Sequence, residues 1–450
     1  MKSKEKIFQD SSKEKKQKFS KLYTLLFLLS FITVVLQIPN SATHEVLSPA
    51  LVQAFSEIED DVSQAEVDEF EDSFQAYGDF IDTSEGQDFA VQRAELAANG
   101  EPNDPLFFQQ WHWYNFTEDG SSGTNWTQLY QEIESLSEEE KAAFSEVIVV
   151  VMDSGLNYSH VDIPADAVFI NTGEIPDNKI DDEGNGYVDD VHGCDILDLS
   201  GNCQDISDPS GHGTGVAGIL LAESDNNEGI ASDLGIPIKV MEVRVINESG
   251  FANYSDVTKA LKYINNMVDA GYPIVAVNMS FAGWYEGELA ADAELTALSE
   301  KGVVLVSGTG NSENQYPGKV GWPARRDEVI AVGGSGPDGC HYVGASYGPE
   351  IDVSAPYPSI YTLYDSDSYA RMSGTSFSSP QVTFLAAILK SMNPDLSPAE
   401  VSEIITSTAN LRPECDAEQI GSGVVDYMAA FFSVKYPNKT FLPFISNGGS

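Results

Sequence analysis

VIVVVMDSG, residues 147–155, decides the fold. Six apolar residues run without a break and end on Asp153, Ser154 and Gly155. A strand with one wet face alternates apolar and polar residues. An unbroken run is buried on both faces, as in a parallel sheet covered by helices. Four further runs repeat the pattern: IKVMEVRVI (238–246), IVAVNM (274–279), VVLVS (303–307) and VIAVGG (329–334). Between and after them lie helical patterns: GVAGILLAE (215–223), SDVTKALKYINNMVDAG (255–271), ELTALSEKG (294–302), SSPQVTFLAAILKSM (378–392) and SPAEVSEIITSTA (397–409). Strand alternating with helix predicts a three-layer α/β fold, with a mostly parallel central sheet flanked by helices.

Outward from this core the composition sets limits. The chain has 450 residues, 42% of them hydrophobic, which is enough for a large buried core. Lys and Arg number 24 against 70 Asp and Glu, a formal net charge of −46. A nucleic-acid binder needs basic groups to displace phosphate counterions, so no nucleic-acid partner is expected. Eight of the Lys lie within the first 21 residues, ahead of the apolar run Leu22 to Ile38 and the small residues Ser41 and Ala42. Basic start, apolar run and small-residue exit together read as a secretory signal over 1–42. The run could also just span a bilayer of ~30 Å, so a membrane-held anchor facing outward is the alternative. Residues 43–100 carry fifteen Asp and Glu and one Arg, and read as an acidic propeptide or spacer. EPNDP (101–105) is a turn signal, and QLYQEIESLSEEEKAAF (128–144) an acidic helical patch. The main domain is placed at 101–435, with a tail at 436–450.

Four cysteines, at 194, 203, 340 and 415, are an even count in a chain expected to be exported. Three pairings are open. The short spacing favours Cys194–Cys203, with Cys340–Cys415 possible and four free thiols the alternative.

In an open α/β sheet, ligands bind beyond the carboxyl ends of the strands. Asp153 follows the first run, Asn278-Met279-Ser280-Phe281-Ala282-Gly283 the third, and Gly308-Thr309-Gly310-Asn311 the fourth. His212, in SGHGTGVAG, and Ser376, in MSGTSFSSPQV, each stand at the head of an apolar helix. Singly each has an ordinary reading as a turn residue, a structural His or an N-cap. Together they can make an activated nucleophile: Ser is weak near neutral pH until a His takes its proton and an Asp steadies the imidazolium.

VVVMDSGLNYSHVDI (149–163), GHGTGVAGI (211–219), NMSFAG (278–283), GTGNSE (308–313), YGPEIDVSAP (347–356) and MSGTSFSSPQV (372–382) resemble the subtilisin-like serine proteases, the subtilases. The order Asp, His, Ser is the subtilisin order. The resemblance covers about residues 101–430. It implies a triad of Asp153, His212 and Ser376, and Asn311 as a donor to the oxyanion. It implies a pocket for the residue before the cut, walled by Ser280, Phe281, Ala282 and Gly283 and by Ser307, Gly308, Thr309 and Gly310. Ala282, Gly283, Ser307, Gly308, Thr309 and Gly310 in these walls are small and uncharged, so large apolar or aromatic residues are expected there. Zymogen maturation, protein or peptide substrates, a monomeric state and no cofactor for catalysis are also expected. The pattern departs at Gly215, where the family usually has a second His, and at Gln381. A catalytically inactive homologue that binds rather than cuts is the alternative. A lipase fits poorly, because GTSFS (374–378) lacks the second Gly of the nucleophile elbow.

DNKIDDEGNGYVDDVHG (177–193) spaces oxygen donors at alternate positions before a turn. Asp181, Glu183, Asn185 and Asp189 are the expected ligands of a structural Ca²⁺, against a solvated acidic loop.

Overall fold

The computed structural model describes residues 100–114, 123–198 and 200–437. The signal-like segment, nearly all of the acidic segment and the tail beyond 437 lie outside the described residues.

Seven strands form one all-parallel sheet: β1 (Val147–Asp153), β2 (Gly193–Asp195), β3 (Ile238–Arg244), β4 (Ile274–Met279), β5 (Val304–Gly308), β6 (Val329–Ser335) and β7 (Val353–Pro356). Their order is β2-β3-β1-β4-β5-β6-β7. Every residue of β1 is buried. Val147, Val149 and Val151 face one core and Ile148, Val150 and Met152 the other. That two-sided burial is why the run could not alternate, and each such side chain contributes about 1.5–3 kcal/mol. A hairpin of β8 (Ile360–Leu363) and β9 (Tyr369–Met372) stands apart from the sheet.

After two 3₁₀ turns at Phe107–Gln109 and Trp111–Trp113 come two small helices, α1 (Trp126–Glu134) and α2 (Glu138–Lys141). The acidic patch is thus broken: Ser137 caps α2 in a reciprocal bond with Glu140. On one face of the sheet lie α3 (His212–Leu221) and α6 (Thr375–Met392), on the other α4 (Tyr254–Asp269) and α5 (Ala290–Glu300). The helices α7 (Pro398–Thr408), α8 (Ala417–Ile420) and α9 (Tyr427–Lys435) close the domain. Trp113 stacks on Trp126 and meets Tyr427 edge-on, so the segment before β1 is packed against α9.

Both cysteine pairs close as disulfides, Cys194–Cys203 and Cys340–Cys415. Their loops differ in length, so loop closure favours the folded state by about 2.5 and 4.5 kcal/mol in the chain-entropy model. Among the described residues no helix is long and apolar enough to cross a membrane.

Candidate active site

Asp153 is the last residue of β1 and has no exposed surface. Its Oδ1 accepts the Ser154 N–H and the His212 Nδ1–H, each at 2.7 Å. His212 opens α3. The helix can come this close because residue 213 is Gly. A Cβ there would stand 2.2 Å from the Gly155 carbonyl oxygen and 3.2 Å from the Asp153 Cβ. Asp208 fixes the start of the same helix. It accepts the Thr214 N–H and hydroxyl, both at 2.8 Å, and the Ser154 hydroxyl at 2.9 Å.

Burial works against a charged imidazole at His212. The Asp153 charge, the hydrogen bond to it and the Asp208 charge outweigh that burial and raise the pKa above the ordinary value. With Nδ1–H given to Asp153, Nε2 is left as the acceptor. The His212 side chain keeps 30% of its surface exposed.

Gly215 also has a physical reason. A Cβ there would lie 2.7 Å from the Met372 sulfur, 3.1 Å from the Leu363 carbonyl oxygen and 3.3 Å from the Phe377 ring. The β8–β9 hairpin presses on α3, and a second His would push it away.

Ser376 is the second residue of α6, where backbone N–H groups have no intrahelical partner and the dipole favours negative charge. Its hydroxyl donates to the Ser280 carbonyl at 3.2 Å. Pro380, four residues on, has no N–H to give the Ser376 carbonyl. The Ser280 hydroxyl donates to that carbonyl instead, at 2.7 Å. Asn278 in turn donates to the Ser280 oxygen at 2.9 Å, and Thr383 of α6 donates to Asn278 at 3.1 Å. The end of β4 and the head of α6 are thereby tied together.

Asn311 is oriented by Thr375. The Thr375 backbone N–H can only donate, and it meets Oδ1 of Asn311 at 2.9 Å. The amide NH₂ is therefore left free of that contact, beside the head of α6. Thr375 Oγ1 meanwhile accepts the Gly310 N–H at 3.1 Å.

His212, Asn311 and Ser376 line one cleft of about 590 Å³. Ser280, Phe281, Ala282, Gly283, Gly308 and Gly310 line it as well. Ser307 and Thr309 do not. Both are fully buried, with hydroxyls bonded to the carbonyls of Met279 at 2.9 Å and Ser346 at 2.7 Å. The Ala282 methyl faces the spots where Gly310 and Gly321 would carry a Cβ, at 3.1 and 2.8 Å. Sequence reasoning missed Trp284, Glu248, Phe251 and Tyr254, which also line the cleft. Trp284 directly follows Gly283; Glu248 and Phe251 come from the loop after β3 and Tyr254 opens α4, where no strand-end Gly-rich segment draws attention to them.

The acidic loop arranges its donors differently from expectation. Asp181 accepts the backbone N–H groups of Gly184, Asn185 and Gly186 at 2.6, 3.0 and 2.8 Å. Asp189 accepts those of Asn178 and Lys179 at 3.2 and 3.0 Å. These two carboxylates shape the loop. Glu183 instead joins Glu174 and Asp190, whose oxygens lie within 4.8 Å of one another. Asn185 reaches Asp190 at 3.0 Å, and Asn171 donates to Glu183 and Asp190 at 2.9 Å each. Burial pushes Asp190 up to about 6, with the Glu183 charge adding to the rise. The Asn171 and Asn185 amides turn their NH₂ groups to these carboxylates and their oxygens to neighbouring N–H and O–H groups, so the three carboxylates are the hard-oxygen donors that would hold a Ca²⁺ ion.

Residues 145–423 match the family described as the Subtilase family. Subtilisin DY of Bacillus licheniformis is 34% identical over 229 residues, half of this chain and 78% of that protein. An extracellular protease of Xanthomonas campestris pv. campestris is 30% identical over 314 residues, 65% of this chain and 52% of that one. The halolysin-like extracellular serine protease Nep of Natrialba magadii is 28% identical, covering 75% of this chain and 54% of Nep. The chain spans about half the length of several such relatives. A solved protease from Pseudoalteromonas arctica PAMC 21717 superposes with a TM-score of 0.55 at 26% identity, over 74% of this chain and 99% of that one.

Proposed function

Because the chain belongs to the subtilase family, we propose that it is a secreted serine endopeptidase that cuts protein substrates through Asp153, His212 and Ser376. The observation that carries this reading is the 2.7 Å bond from His212 to Asp153, made beside Ser376 and Asn311 in one cleft. Ser376 Oγ attacks the scissile carbonyl carbon while His212 Nε2 takes its proton. The imidazolium is held by Asp153 and then protonates the leaving amine, leaving an acyl-Ser376. Water, deprotonated by the same Nε2, releases the acid and restores the serine. The carbonyl oxygen, negative in both tetrahedral stages, is held by the Asn311 amide and the Ser376 N–H. A fluorophosphonate probe should label Ser376 and stop hydrolysis of a denatured protein substrate. A protein that binds such substrates but neither cuts them nor takes the probe is the inactive homologue instead.

Asn311→Leu roughly keeps the side-chain volume but loses the amide donor, and with it the acceptor for the Thr375 N–H. The expected result is a fall of about 10²–10³ in kcat with little change in KM. An effect confined to KM would assign Asn311 to substrate binding.

The small walls at Gly308 and Gly310 support a broad preference for large apolar residues before the cut, with the Ala282 methyl setting the width of the slot. A strict preference for Lys or Arg in a peptide library would move that role to Glu248. Export and self-processing, with cleavage between residues 42 and 104, complete the proposal. The N-terminus of protein secreted with and without Ser376 reads both.

Glu174, Glu183 and Asp190 would hold a structural Ca²⁺. At a hundredfold excess over its dissociation constant the ion stabilises the fold by about 2.7 kcal/mol. EDTA should therefore lower Tm, and Asp190→Asn should abolish most of the difference. A Tm indifferent to EDTA would leave the cluster a solvated loop.

A further inference from the structure

Glu242 stands in the middle of β3 with none of its surface exposed. In register with it are Val151 of β1 and Gly193 of β2. Its Oε1 accepts the Gly155 N–H at 3.1 Å, and its buried Oε2 has no hydrogen-bond partner. The charged groups that act on it are Asp153, at the end of β1, and Asp208, ahead of α3. Two residues along its own strand, Arg244 is committed to Asp195 at 3.2 Å. His212 is bonded to Asp153. An ionised Glu242 would be a third negative charge in a dry cluster without a cation of its own. Burial, then the Asp153 and Asp208 charges, hold its carboxyl well above the ordinary range against the opposing backbone hydrogen bonds, which favours the neutral acid.

Gly155 links this carboxyl to the catalytic pair. Its N–H is gripped by Glu242, and its carbonyl oxygen is the atom on which Gly213, the neighbour of His212, closes. We propose that Glu242 is an uncharged positioning residue, which clamps the Asp153–Ser154–Gly155 turn so that Asp153 and the head of α3 meet in register for proton transfer. This role rests on the endopeptidase reading above. It leaves Asp153 as the charge that His212 feels directly, because a neutral acid adds none.

The test uses the full chain with Glu242→Leu and Glu242→Gln, each checked by thermal melting. Leu removes the acceptor for Gly155, and kcat should fall by about tenfold to a hundredfold with KM nearly constant, as expected when reacting groups are slightly misplaced. Gln is uncharged and still accepts the Gly155 N–H, so it should restore kcat to within a few-fold of wild type. The acid limb of its kcat/KM profile, which reports His212, should stay where it is. Infrared spectra at neutral pH should lose one protonated-carboxyl band in the Gln variant. A Leu variant as fast as wild type overturns the role. So does a Gln variant that keeps the band, or whose acid limb moves to lower pH, because Glu242 would then have been an anion. If Leu does not fold, the rate, band and limb of the Gln variant decide. A wild-type protein with no Ser376-dependent hydrolysis fails at the earlier reading, which these outcomes keep distinct.

Discussion

Ser376→Ala should lower kcat for peptide hydrolysis by about 10⁶-fold, to the rate that the oxyanion donors and substrate binding supply alone. The methyl that remains cannot attack, and His212 Nε2 has no proton to take. The fold should survive. Ser376 is only half-buried, and the bond lost is the 3.2 Å one to the Ser280 carbonyl. A hydrogen bond of that kind contributes about 1 kcal/mol. Circular dichroism should therefore match the wild type and Tm stay within a few degrees of it while hydrolysis vanishes. Unchanged hydrolysis would remove Ser376 from the chemistry.

Asp153→Asn comes second, at about 10⁴ in kcat. The substitution is nearly isosteric, so the cause is the proton and not the shape. Asp153 can only accept, and so it keeps the imidazole proton on Nδ1. Asn can turn its NH₂ to the ring, which moves the proton to Nε2, and Nε2 then cannot serve as the base. Charge adds a second signature. The Asp153 carboxylate is the main group that raises His212 against burial. The active form has neutral His212, so activity in the wild type is lost as pH falls through that raised value. Without the carboxylate the value drops, and the residual activity of Asp153→Asn should persist to lower pH. A pH profile of kcat/KM measures the shift, and an acid limb moving upward would contradict the assignment.

Much of this was legible from residues alone. β1 announced itself because six apolar residues in a row suit a strand with two covered faces and little else. The heads of α3 and α6 were marked by His212 and Ser376 between small residues. What escaped depends on partners distant in sequence. β2 is three residues long and exists because β3 supplies its ladder. The β8–β9 hairpin reads as loop until its strands pair. Glu174 and Asp190 join Glu183 only after the loop folds, whereas Asp181 and Asp189, better spaced on paper, are spent on backbone amides. Ser307 and Thr309 looked like pocket walls, but their hydroxyls turn inward to carbonyls of neighbouring segments. Glu242 resembled any strand residue in a string of letters, since its isolation from cations is a property of the packed sheet.

Pro380 leaves a carbonyl that the Ser280 hydroxyl must take, and Ser280 is also a wall of the cleft. One side chain therefore answers to two selective pressures. A substitution at 280 that suits a new substrate releases the first turn of α6, and with it the nucleophile, so every substrate is turned over more slowly. Ala282 lines the same wall through a methyl that makes no such bond. Along this edge, residue 282 can change the slot while the head of α6 stays tied, whereas residue 280 cannot.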